Sequence, residues 1–68
     1  MISYKPLFKR MKECQGTTYS LIHKHGINPR TVNNIKNGRG ITTYTLGRLC
    51  HILNCTPNDI IEFIDDDH

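Results

Sequence analysis

The eighteen residues Thr18-Tyr-Ser-Leu-Ile-His-Lys-His-Gly-Ile-Asn-Pro-Arg-Thr-Val-Asn-Asn-Ile35 leave this chain few ways to fold. They contain two short helical patterns with a stop and a start signal between them. Leu21 and Ile22 are the apolar residues of the first pattern, and Thr17 or Thr18 can cap it. Gly26 stands where that helix must end, in a position that wants a left-handed residue. Asn28 then caps a second helix, with Pro29 at its first position, where a missing N–H costs nothing. Val32 and Ile35 face inward, three residues apart. Two such helices must cross steeply, so that Leu21, Val32 and Ile35 meet in one core and Ile27 plugs the turn. The segment is predicted to be a helix-turn-helix.

Helical periodicity also dominates the flanks. A helix is predicted over roughly Lys5 to Glu13, with Pro6 in its first turn and an apolar stripe of Tyr4, Leu7, Phe8, Met11 and Cys14. Gly16 is expected to end it. Asn37-Gly38 stops the second helix of the central unit, and Gly40 follows. Thr42 or Thr43 caps a further helix in which Leu46, Leu49, Cys50 and Leu53 recur at i, i+3, i+4 and i+7, and Asn54 ends it. Thr56-Pro57-Asn58-Asp59 repeats the start signal and predicts a short fifth helix carrying Ile60 and Ile61. Phe63 and Ile64 either continue it, or Glu62–Ile64 lies extended beside Met1–Ser3. The expected class is all-α with five helices. One domain spans residues 1–64, and an acidic tail spans 65–68. A chain of 68 residues has room for one small core, which favours a surface-reading module over an elaborate buried active site.

Charge is segregated along the chain. Residues 1–57 carry all nine Lys and Arg and one acid, Glu13, so the body is about +8, whereas residues 58–68 carry five acids and no Lys or Arg. Between Cys14 and Asn58 there is no acid. Such a body suits a polyanion, either nucleic acid or an anionic membrane surface.

With the apolar residues of the central unit turned inward, Pro29, Arg30, Asn33 and Asn34 point away from the core. An exposed helix of this kind fits the major groove. Arg can bond bidentately to guanine and Asn to adenine. Arg30 and Asn34, four apart, share one face that Asn33 adjoins. Asn is a mediocre helix former, so two adjacent Asn favour a reading role over plain solvation. Phosphate contacts are expected on both sides. Thr17, Thr18 and Tyr19 offer backbone N–H groups and hydroxyls at a helix start, and Lys36, Arg39, Thr42 and Thr43 follow the reading helix.

Nearly the whole chain resembles the Cro/repressor-like (lambda-repressor-like, XRE-type) helix-turn-helix family of bacterial and phage regulators. More narrowly it is similar to a short single-domain branch with Ile-Ser-Tyr-Lys-Pro-Leu-Phe near the start, here Ile2–Phe8, and Leu-Asn-Cys-x-x-x-Asp-Ile-Ile-Glu-Phe late in the chain, here Leu53–Phe63. The resemblance implies a five-helix bundle and sequence-specific DNA binding, often as a dimer. It also implies a phosphate contact at Thr18, base reading at Pro29, Arg30 and Asn34, and flanking backbone contacts at Arg39 and Thr43. Two positions depart from the family pattern. Ile22 stands where a small residue is usual, which bears on the crossing angle, and His25 stands where an aliphatic one is usual. Pro29 has no N–H to donate, so a contact there is apolar, for instance to a thymine methyl.

Other constellations carry little. His23 and His25 do not face the same way, and Cys50, His51 and Cys55 do not fit zinc spacings, so no metal is expected. His25 is expected to cover an edge of the core, with acid loosening the turn. No nucleophile motif or Walker loop is present, and neither an enzymatic role, a cofactor nor a small-molecule ligand is expected. Three cysteines without a CxxC, no signal peptide and no apolar run near ~20 residues read as a reduced, cytoplasmic protein that makes no membrane contact. Cys14 and Cys50 are expected to be core thiols. The tail from Asp65 is expected to be solvated, or to fold back on the basic surface and compete with DNA.

These readings converge on a small transcriptional regulator, a repressor in the simplest form, that binds double-stranded DNA. One recognition helix covers a short half-site, so a homodimer or a partner protein is expected, with Ile61, Phe63 and Ile64 as its apolar surface. The alternative is a protein-interaction module of the same fold, antitoxin-like or an anti-repressor partner, that does not bind an operator.

Overall fold

The computed structural model describes residues 1–65. The elements in chain order are β1 (Ile2–Ser3), α1 (Lys5–Glu13), α2 (Thr18–His23), α3 (Pro29–Lys36) and α4 (Thr43–Leu53), followed by a single 3-10 turn at Pro57–Asp59 and β2 (Glu62–Phe63). Local chemistry explains most boundaries. Thr17 caps α2 through a reciprocal pair: its hydroxyl accepts the Ser20 N–H, and the Ser20 hydroxyl accepts the Thr17 N–H, both at 3.1 Å. Asn28 caps α3, its side-chain oxygen accepting the Arg30 N–H at 2.8 Å, and Pro29 needs no partner. Thr42 caps α4 by accepting the Thr45 N–H at 3.2 Å. Asn54 ends α4 in the left-handed region (φ 52°), which lets Asn54 and Cys55 donate to the His51 and Cys50 carbonyls at 3.4 and 3.0 Å.

The helix-turn-helix forms as the sequence requires. Gly26 takes φ 71° between α2 and α3. Ile27 then drops into the core, its N–H donating to the Leu21 carbonyl at 2.9 Å. Leu21, Ile27, Val32 and Ile35 join Tyr4, Leu7 and Met11 from the α1 side, Leu49 and Leu53 from α4, and Ile60 in one buried cluster. Two arginines brace this frame from outside. Arg10 donates to the Leu53 carbonyl at 3.0 and 3.3 Å and to that of Asn54 at 3.3 Å, covering the acceptor-rich end of α4. Arg48 donates to the His25 carbonyl at 2.8 Å and so ties α4 to the turn.

The structure departs from expectation at five places. There are four α-helices, not five. The cap at Thr56 starts one 3-10 turn, with the Asp59 carboxylate accepting the Thr56 N–H at 3.4 Å. The turn stops because fully buried Ile60 presents its carbonyl to the Leu7 N–H at 3.2 Å, an orphan donor in the first turn of α1. Beyond it the chain is extended: β2 pairs antiparallel with β1, Ile2 opposite Phe63 and Ser3 opposite Glu62, so the fold carries a two-stranded ribbon and is not purely helical. This matches the extended alternative for Glu62–Ile64. The α1 stripe is narrower than expected, because Phe8 is 41% exposed and Cys14 lies exposed past the helix end. Cys14 is therefore not a core thiol, whereas Cys50 is half-buried and packs against the core. Gln15, not Gly16, takes the left-handed conformation after α1, at φ 56°. Lastly, His25 is exposed and covers no core edge; its backbone, not its imidazole, is what Arg48 grips. Of the acidic tail, residues 66–68 lie outside the described residues.

Candidate nucleic-acid interface

The outer face of α3 follows from which of its residues the core takes. Val32 and Ile35 are buried, so Pro29, Arg30, Asn33 and Lys36 are left exposed, and Asn34 is half-buried. The backbone of Arg30 is fixed by the Asn28 cap, leaving a long cationic side chain on a rigid base at the start of the helix. The Asn33 amide is already oriented. Asn37, one turn on, donates from Nδ2 to the Asn33 carbonyl at 2.8 Å and to its side-chain oxygen at 3.3 Å. That oxygen keeps a second lone pair, and the Asn33 amide NH2 remains available as a donor. Asn34 contributes differently: its carbonyl accepts the Arg39 N–H at 2.7 Å, which turns the loop after α3 back against the helix.

Of the flanking residues expected to contact phosphate, all but half-buried Thr18 are exposed. The hydroxyls of Thr17 and Thr42 are occupied as helix caps, so neither is a free hydroxyl. Thr18 is half-buried at the start of α2, and Thr43 is exposed at the start of α4. Tyr19 is 70% exposed and its ring lies against that of His23, with centroids 4.2 Å apart. Arg39 is exposed in the loop between α3 and α4. Two residues escaped sequence reasoning. Asn37 orients Asn33, for which the four-residue spacing was the available signal. Tyr44, 76% exposed beside Thr43, breaks the rule that a large aromatic in a small domain goes to the core.

Asp59 and Glu62 line one groove with Lys5, Lys9 and Arg10 on the α1 side. These two acids therefore sit beside cations that are not part of the helix-turn-helix. Among the described residues, no group of three or more His, Cys, Asp and Glu could hold a metal ion, and no helix is long and apolar enough to cross a membrane.

Comparison with known proteins points the same way as this geometry. Residues 7–66 match the model of the Cro/C1-type HTH DNA-binding domain. Among solved structures, the crystal structure of the transcriptional regulator VanUg (form II) is similar, with a TM-score of 0.83 and 26% sequence identity over 90% of this chain and 81% of that one. A search of curated proteins finds no match.

Proposed function

The chain belongs to the Cro/C1-type helix-turn-helix DNA-binding family, and we propose that it is a transcriptional repressor that occupies operator DNA with α3 in the major groove. The observation that carries this reading is the outer face of α3: an acid-free helix with Arg30 presented by its own cap and Asn33 held by Asn37. Arg30 reads a guanine edge, Asn33 and Asn34 serve adenine, and Pro29 offers an apolar edge to a thymine methyl. Thr17, Thr18 and Tyr19 on one side, and Lys36, Arg39, Thr42 and Thr43 on the other, hold the backbone. The similarity to the transcriptional regulator VanUg supports a regulatory role. A cytoplasmic location follows from that role, with no cofactor and no enzymatic step.

A single α3 spans only part of an operator, so the reading includes a dimer. Its apolar face is the β1–β2 ribbon, where Ile2 and Phe63 are cross-strand partners, 47% and 71% exposed, next to half-buried Ile61 and Ile64. Gel filtration across concentration, with and without DNA, checks this, and a strict monomer on DNA contradicts it.

The decisive test is a fluorescence titration with duplex DNA at two salt concentrations. Affinity should fall clearly as salt rises, and Arg30→Glu should weaken binding further. Indifference to both would return the chain to the protein-interaction reading.

A further inference from the structure

Arg39 stands between Gly38 (φ 71°) and Gly40, neither of which has a neighbouring atom within 4 Å of where a Cβ would sit. Such a linker is intrinsically loose. Its middle residue is nevertheless held at both ends of its own backbone. The Arg39 N–H donates to the Asn34 carbonyl at 2.7 Å. The Arg39 carbonyl accepts a hydrogen bond of 2.5 Å from the hydroxyl of Tyr4, 35 residues away at the start of α1. Tyr4 is suited to this. Its ring is buried (6% exposed), so the reach of its hydroxyl is fixed by the core, and burial raises its pKa, which keeps the hydroxyl protonated as a donor.

We propose that Tyr4 is a positioning residue for DNA binding: its hydroxyl pins the Arg39 carbonyl so that the Arg39 side chain is aimed before DNA arrives. The inference rests on the DNA-binding reading above and extends it to a residue that touches no DNA. Tyr4 fills two roles, since its ring belongs to the core and its hydroxyl to the loop. Ordering a Gly-Arg-Gly segment in advance removes an entropic penalty that would otherwise fall on binding.

Tyr4→Phe keeps the ring and removes the hydroxyl. The variant should bind duplex DNA about 3- to 10-fold more weakly than wild type, the range of one net hydrogen bond. In an Arg39→Ala background the same change should cost less than about twofold, because the side chain being aimed is gone. A merely structural role for Tyr4 would lower binding equally in both backgrounds. Without DNA, 15N relaxation should show the Gly38, Arg39 and Gly40 amides losing order in Tyr4→Phe. Equal losses in the two backgrounds, unchanged affinity, or unchanged amide order would each overturn the proposal. If wild type itself ignores DNA, the DNA-binding reading fails, and the amide measurement still decides whether Tyr4 holds the loop.

Discussion

Asn28 is where stability and DNA reading can be pulled apart. Its side-chain oxygen satisfies the Arg30 N–H at 2.8 Å, and its own carbonyl accepts the first intrahelical bond, from the Val32 N–H at 3.2 Å. Pro29 has no N–H, so the cap serves one of few donors that α3 leaves open. Asn28→Ala removes that acceptor at an exposed site where water can partly replace it, which places the loss at about 1 kcal/mol. In a domain of this size that lowers Tm by about 4–8 °C. Asn28→Asp keeps the acceptor and adds a negative charge at the positive end of the α3 dipole, so Tm should hold or rise slightly. With α3 in the proposed DNA-reading role, the same carboxylate, beside Arg30, should repel phosphate by about 1–2 kcal/mol, or roughly 5- to 30-fold in Kd at low salt. Circular dichroism melting and a fluorescence titration on both variants separate the effects. The reasoning is refuted if Asn28→Ala melts with wild type, or if Asn28→Asp binds DNA as tightly as wild type does.

Leu49 is fully buried, so Leu49→Ala should lose about 2–5 kcal/mol, and the thermal transition should broaden or vanish. Alkylation of the folded protein should modify exposed Cys14 first. Cys55 should lag because burial, with Cys50 beside it, raises its pKa and suppresses the thiolate; equal rates at all three thiols would contradict this placement. Burial also raises the Tyr4 pKa, so the fold favours the protonated phenol. That contribution to stability is intact below the ordinary tyrosine value of 10.0 and is lost as pH climbs above it, a loss that Tyr4→Phe should abolish in alkaline melts. Deleting residues 65–68 should tighten non-specific DNA binding at low salt, and unchanged binding would remove any competing role for the tail.

Where local chemistry decides a boundary, the sequence was sufficient. Gly26, Asn28-Pro29, Thr42 and Asn54 each act within a few residues, and the structure uses each as its residue type suggests. Some failures occur where a distant partner decides. Thr56-Pro57-Asn58-Asp59 signals a helix start, but nothing nearby reveals that the Leu7 N–H will claim the Ile60 carbonyl, and the pairing of β1 with β2 was legible only as one of two alternatives for Glu62–Ile64. Cys14 fits the apolar period of α1, yet the helix ends before that period can be used. The exposed face of α3 was legible at Pro29, Arg30 and Asn33, whereas Asn34 is half-buried. Its internal order, from Asn37 onto Asn33 and from Tyr4 onto Arg39, required the fold.

The same distinction governs the charges. A count of nine Lys and Arg suggests diffuse basicity. The structure divides seven of them by task. Arg10 and Arg48 direct their donors at backbone carbonyls that the ends of α4 and α2 leave open, so they stabilise the frame. Lys5 and Lys9 share a groove with Asp59 and Glu62, where opposite charges offset one another. Arg30, Lys36 and Arg39 remain exposed on and just after α3, within a stretch that has no acid from Cys14 to Asn58. A charge reversal at Lys9 would mainly disturb the α1 groove. A reversal at Arg30 acts on the surface proposed to meet DNA, and it is therefore the substitution that separates a DNA reader from a domain that is merely basic.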